Sequence, residues 1–275
     1  MPVADLGSLR WQAELLVTPC GSGEMVWHAW GSGRPLVLLH GGSGSWTHWL
    51  RNIEPLVGAG RRVIAADLPG FGDSALPATG SDADALPDPL EAGLAQIVGD
   101  AAVDIAGFSF GGMTAGLWAQ RFPARVARLV VVGAPGLGLF ARRPVDLAPW
   151  RHLSDEAERD AVHRANLAAL MLHDPAAIDD TALTLHKANV VRDRMKGRTL
   201  ARTDALARAL QQAPCPVWAI YGEHDALYQS QLDEVRAVLQ TARDFRDMTV
   251  VPGAGHWVQY ERPEAFNAAL LAALD

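Results

Sequence analysis

The chain has 275 residues, 49% hydrophobic and 20% charged, a balance that supports a sizeable globular core and excludes a mostly disordered protein. Its formal charge is −7 and it carries no basic tract, which excludes a nucleic-acid footprint and a polybasic membrane surface. Cys20 and Cys215 are the only cysteines and fall in no CxxC or Cys/His ligand spacing, so neither a disulfide scaffold nor a zinc site is indicated and both are expected as buried thiols.

The first ten residues show no basic stretch leading into an apolar one, and no apolar run approaches the roughly 18 residues of a membrane helix, so a cytoplasmic protein is expected. Residues Trp11 to Thr18 and Met25 to Trp30, parted by Pro19 to Gly23, predict an opening antiparallel hairpin. Runs rich in Val, Ile and Leu follow at Leu36 to Leu39, Arg62 to Ala66, Val103 to Gly107, Val126 to Val132, Val217 to Tyr221 and Met248 to Val251. They are continuous rather than alternating, which predicts parallel strands covered on both faces. Apolar residues at three- and four-residue spacing predict helices over Pro87 to Val98, Gly111 to Arg121, Gln229 to Thr241 and Pro263 to Leu274. The βαβα order gives an α/β protein with a doubly wound sheet.

From Gly136 to Ala213 no convincing strand occurs, and the segment reads as helices broken at Pro144, Pro149, Pro175 and Gly197. The expectation is a core domain of residues 1–135 and 214–275, with a helical cap, 136–213, inserted between two strands. Asp155/Glu156 and Asp179/Asp180 read as helix starts, where carboxylates are favourable without any site.

The chemistry is concentrated at the ends of the strands. Gly107-Phe108-Ser109-Phe110-Gly111 stands between a strand and a helix, the context a G-x-S-x-G turn requires, and it would hold Ser109 up at the carboxyl edge of the sheet. A serine hydroxyl needs a base and a group to orient that base. Asp225, in Gly222-Glu223-His224-Asp225, and His256, in Gly253-Ala254-Gly255-His256, each follow a strand and supply both. Upstream, His40-Gly41-Gly42-Ser43-Gly44 follows another strand, and the N–H groups of Gly42 and Phe110 are assigned to an oxyanion hole. His224 is expected to help its turn, and His28, His48, His152, His163, His173 and His186 have no partner spacing that suggests chemistry. Trp46, Trp49 and Trp150 read as packing.

Through "LVLLHGG", "VIAADLPGFGDS", "GFSFGG", "YGEHD" and "GAGHW" the chain resembles the α/β-hydrolase fold superfamily over nearly its whole length. The resemblance implies a mostly parallel sheet with an inserted cap and the triad Ser109, Asp225 and His256, without metal or cofactor. It also implies a purely structural role for the loop Asp67 to Ser74. "HGGSGSWTHWLRNIEPLV" and "GHWVQYERPEAFN" look most like the bacterial enzymes that hydrolyse carbon–carbon bonds in ring-opened aromatic compounds. That group carries a tryptophan after the histidine, as Trp257 stands here, an asparagine before the serine, where this chain has Phe108, and a cap arginine for the substrate carboxylate. Gly41, Phe108 and Trp257 are accordingly expected against substrate, with Lys187 nearest to the cap cation and Arg192 and Arg194 following.

Branches of the fold that attack sp³ carbon use a carboxylate nucleophile, and position 109 is serine, so acyl-type chemistry at a carbonyl is indicated. With Phe108 and Phe110 making an apolar floor, the expected activity is hydrolysis of a small carboxylic ester with an apolar acyl part. Carbon–carbon bond hydrolysis is the alternative, and a small-molecule receptor that retains the triad is the third reading. A small-molecule substrate is the expected partner, neither nucleic acid nor membrane is, and a homodimer is left open.

Overall fold

The computed structural model of the chain describes residues 6–139 and 145–275, and Pro144, one of the expected helix breaks, lies outside them. A short helix, α1 (Leu6–Gln12), precedes β1 (Glu14–Cys20), which runs antiparallel to β2 (Gly23–Trp30) through a two-residue turn. This hairpin starts later and turns more tightly than the sequence pattern suggested. Trp11 lies on α1 and is 91% exposed, and Pro19 pairs with Glu24 inside the strand. Pro19 is tolerated because β1 is an edge of the sheet, where a missing N–H breaks no ladder.

The chain continues through β3 (Arg34–Leu39), α2 (Ile53–Gly58), β4 (Arg61–Ala66), α3 (Pro87–Val98), β5 (Val103–Phe108), α4 (Phe110–Arg121) and β6 (Val126–Val132). It then leaves the sheet for α5 (Glu156–Asn166), α6 (Asp180–Val190) and α7 (Ala205–Gln212). It returns as β7 (Val217–Gly222), α8 (Leu232–Leu239), β8 (Phe245–Val251), α9 (Val258–Glu261) and α10 (Pro263–Leu274). The eight strands form one sheet in the order β1-β2-β4-β3-β5-β6-β7-β8. β2 and β4 are antiparallel, and β4, β3, β5, β6, β7 and β8 are mutually parallel, so their carboxyl ends share one edge.

Apolar layers cover both faces, which is why the parallel strands read as unbroken apolar runs. On one face Leu90 and Leu94 of α3, Met113 and Trp118 of α4, and Val235 and Leu239 of α8 are buried. On the other, Ile53 and Leu56 of α2 pack with Phe266 and Leu270 of α10. α8 is shorter than its periodicity implied, because Ser230 at φ 55 and Gln231 at φ −123 keep the chain out of the helix until Leu232. α5 and α6 begin where the paired carboxylates indicated: Asp155 accepts from Glu158 N–H and Asp179 from Ala182 N–H. α7 packs on the core, its Leu206 against Gly116 of α4.

At the amino end of the parallel strands, Asp104 of β5 is fully buried and paired with Arg34 at 2.9 Å, with Arg61, and with Arg128 at 3.6 Å. A buried carboxylate survives only with such partners, and removing it strands buried Arg61. Asp104→Asn is expected to lower unfolding stability by about 3 kcal/mol; a loss below 1 kcal/mol in urea denaturation would show that the pairing contributes little.

Histidines taken out of water shape the response to acid, among them buried His28 and His40 and partly buried His186. His28 lies between Trp30 and Trp46, His40 sits under the loop after β3, and His186 belongs to α6. Burial, the leading cause in each, pushes them down from 6.5 to about 4. Between these values the unfolded chain takes up protons that the folded chain refuses, so their stabilising contribution is complete above pH 6.5 and is lost as pH falls towards 4. Melting temperature is expected to drop through this window, and a flat profile would contradict burial of the neutral rings.

Candidate active site

β5 ends at Phe108 and α4 begins at Phe110, leaving Ser109 alone in the turn at φ 50 and ψ −115. A non-glycine residue reaches this conformation only where the surroundings impose it. Here the strand and helix cross so closely that a Cβ on Gly107 would lie 2.4 Å from Gly111 O, and one on Gly111 would lie 2.5 Å from Leu39 O. Only glycine fits at either position, and Ser109 is raised at the carboxyl edge of the sheet.

Ser109 Oγ lies 2.9 Å from His256 Nε2. His256 Nδ1 in turn lies 2.9 Å from both carboxylate oxygens of Asp225. Asp225 is fully buried and His256 is 2% exposed, so this pair is sheltered from water and Ser109 forms its outer end. Leu227 N–H donates to Asp225 Oδ1 at 2.9 Å and fixes the carboxylate. The His256 loop is tied to the chain after α5: Trp257 N–H donates to Met171 O, while Glu261 accepts from the N–H groups of Gly255 and Asp174.

Beside Ser109, a Cβ on Gly42 would come within 3.8 Å of Phe110 Cβ, and no hydrogen bond among the described residues uses the N–H of either Gly42 or Phe110. Both N–H groups are thus left without a protein acceptor among the described residues. Gly42 and Ser43 belong to both lobes of a cavity that opens over them, with volumes of about 690 and 1200 Å³. The smaller lobe contains Ser109 and His256 and is otherwise mainly apolar, with Phe108, Phe110, Leu139 and Leu227. The larger has a mixed lining, with Trp150, Leu170, Met171 and Met195 beside His48, His186, Arg151, Arg194 and Lys196. Arg198 lines both lobes. Its guanidinium rests on Gly42, donates to Asp193 at 2.8 Å and lies over the rings of Phe71 and Phe110. Asp193 also accepts from Ser43 Oγ at 2.5 Å.

Four residues expected against substrate stand elsewhere. Gly41 backs the loop, its carbonyl accepting from His40 Nδ1 at 2.7 Å and its N–H donating to His48 Nδ1 at 3.3 Å. Trp257 is 1% exposed, stacks on Tyr260 and donates from Nε1 to His48 O, so it supports the wall from behind. Lys187 pairs with Asp160 at 2.5 Å and Glu156 at 3.4 Å; the Asp160 hydrogen bond, the leading cause, raises its pKa. Arg192 pairs with Asp73 at 2.8 Å. Arg194, also considered, does line the larger lobe but spends its guanidinium on the carbonyls of Phe71, Gly72 and Ser74. Arg198 and His48 are the residues that sequence reasoning missed. The nearest signal for Arg198 was the helix break read at Gly197; His48 had no signal beyond its nearness to the glycine loop.

Among the described residues no three His, Cys, Asp or Glu side chains group to hold a metal ion, and no helix is long and apolar enough to cross a membrane. The chain is 26% identical, over 88% of its length and 87% of that protein's, to the 2-hydroxy-6-oxo-6-phenylhexa-2,4-dienoate hydrolase of Burkholderia cepacia. It is 32% identical, over 88% of its length, to the dihydrolipoyllysine-residue acetyltransferase component of the acetoin cleaving system of Pseudomonas putida, of which it spans 64%. The fold superposes on a meta-cleavage product hydrolase of Pseudomonas fluorescens IP01 with a TM-score of 0.77 at 23% identity, covering 96% of this chain and 98% of that one. Residues 36–269 match the model of the alpha/beta hydrolase family, and the chain belongs to that family of enzymes.

Proposed function

We propose that this protein is a serine hydrolase that cleaves a small carboxylic ester through an acyl-enzyme. The reading is carried by the unbroken relay from Ser109 Oγ through His256 to Asp225, in which each contact is 2.9 Å. As Oγ bonds to the carbonyl carbon, His256 Nε2 takes its proton, and Asp225 holds the ring by Nδ1–H and balances the imidazolium. The developing oxyanion is received by the N–H groups of Gly42 and Phe110, a contribution worth about 100- to 1000-fold per donor in related chemistry. The alcohol leaves with the proton from His256, and water activated by the same nitrogen releases the acid.

The smaller lobe suits an apolar acyl group, and the larger lobe accommodates the alcohol part. Leu147, Leu170, Met171 and Arg198, all from the segment between β6 and β7, wall both lobes, which supports reading 136–213 as a lid over the site. Carbon–carbon bond hydrolysis of a diketone acid is the second reading. Arg198 favours it, since a substrate carboxylate at the junction of the lobes would meet a guanidinium. Phe108 weighs against it: its buried ring, packed on His256, gives substrate no hydrogen bond where an amide would.

The two readings separate in a paired assay of kcat/KM for 4-nitrophenyl butyrate and for 2-hydroxy-6-oxo-6-phenylhexa-2,4-dienoate. The ester is expected to be the better substrate, and faster cleavage of the dienoate would install the second reading. Ser109→Ala is expected to lower turnover of either by on the order of 10⁴- to 10⁶-fold with the melting temperature little changed. A variant retaining a tenth of the activity would remove Ser109 from the nucleophile role.

A further inference from the structure

We infer that His48 positions substrate, donating from Nε2–H to an oxygen atom on the alcohol side of the ester. The inference rests on the hydrolase reading above and adds a recognition element to it.

His48 lies in the single turn Trp46–Trp49 and is 4% exposed. Its Nδ1 accepts the Gly41 N–H at 3.3 Å. Gly44 packs on the same edge of the ring, where a Cβ would lie 2.3 Å from Cε1. Phe108 at 5.5 Å and Trp257 at 4.9 Å flank the ring and hold its orientation. An imidazole whose Nδ1 is occupied as an acceptor carries its one proton on Nε2. The imidazolium is disfavoured, because it would set Nδ1–H against Gly41 N–H. Burial, followed by the neighbouring His40, His186 and His256, holds the pKa of His48 well below 6.5.

Nε2 has no hydrogen-bond partner among the described residues, and His48 lines the larger lobe of the cavity. The Nε2–H is therefore a donor available at the cavity wall, and an oxygen placed there by a ligand would pair with it. The contrast with the other buried histidines of this region is informative. His40 is saturated, its Nδ1 engaged by Gly41 O and its Nε2 by Leu68 N–H. His28 is unpartnered at both nitrogens but lies between Trp30 and Trp46, outside either lobe. His48 alone among these three combines a fixed tautomer with access to the cavity. His48 lines the larger lobe, which meets the Ser109 lobe at Gly42 and Ser43, so the oxygen it receives belongs to the part of the substrate beyond that junction.

The test uses two butyrate esters of matched shape, acetonyl butyrate and 2-methylallyl butyrate, which differ by a carbonyl oxygen in place of a methylene on the alcohol. The readout is the ratio of their kcat/KM values within each enzyme, which cancels any general loss of activity. His48→Asn retains an acceptor for Gly41 N–H but lacks the distal donor, whereas His48→Gln carries an amide N–H out to the position of Nε2. The ratio is expected to fall about fivefold in H48N and to recover in H48Q. A ratio in H48N equal to that of the parent enzyme would overturn the assignment, as would a loss shared equally by the two esters. Failure of the parent enzyme to cleave either ester counts against the hydrolase reading instead. The tautomer is then still decided by long-range ¹H–¹⁵N correlation spectra, in which a His48 signal protonated at Nδ1, identified by its absence in H48N, would overturn the proposal.

Discussion

Ser109 occupies a backbone conformation that an L-residue adopts only under compulsion, and the compulsion comes from how closely β5, α4 and the end of β3 approach one another. With no Cβ on Gly107 and Gly111, the helix starts within a single residue of the strand, and its first N–H groups lie beyond Ser109 with no helical partner. The parallel sheet does the rest. Because β3, β5, β7 and β8 run in one direction, the loops that carry Gly42, Ser109, Asp225 and His256 all emerge at one edge. The amino ends carry none of this constellation and hold the Asp104 ion cluster instead.

Around this frame, neutral imidazoles act as struts. The peptide of Gly41 is gripped from both sides, by His40 at its carbonyl and His48 at its N–H, so the loop that presents Gly42 is fixed by two rings in opposite tautomers. Trp257 extends the arrangement, joining the His256 loop to the backbone of His48. Arg198 and Asp193 close it from above by bonding across to Ser43 and resting on Gly42. Elements from the first and last thirds of the chain and from the segment between β6 and β7 thus converge on one short loop.

The sheet was legible because burial on both faces leaves continuous apolar runs, and the turns after those runs carried Ser109, Asp225 and His256 in plain view. The edge was harder to read: Pro19 looked like a turn residue, but β1 is an edge strand, paired on one side only, that tolerates it. Charges between β6 and β7 were the least legible. Lys187 and Arg192 were candidates only through the resemblance to a cap arginine, and each is claimed by an acid from another element, Asp160 of α5 and Asp73 of the loop after β4. Arg198 lies in the non-helical stretch that follows α6, next to Gly197 at φ 87, and only the folded chain brings it to Gly42. His48 and Trp257 show the same limit. Both follow a recognisable motif, but which one meets the cavity and which one braces it depends on contacts between distant segments.

The central claim is that the relay activates Ser109 as a nucleophile, and covalent labelling tests it most directly. Treatment with diisopropyl fluorophosphate, followed by intact-mass and peptide mass spectrometry, is predicted to give one adduct per chain, on Ser109, and none in Ser109→Ala. An adduct on another residue, or labelling no faster than that of the unfolded chain, would contradict the account.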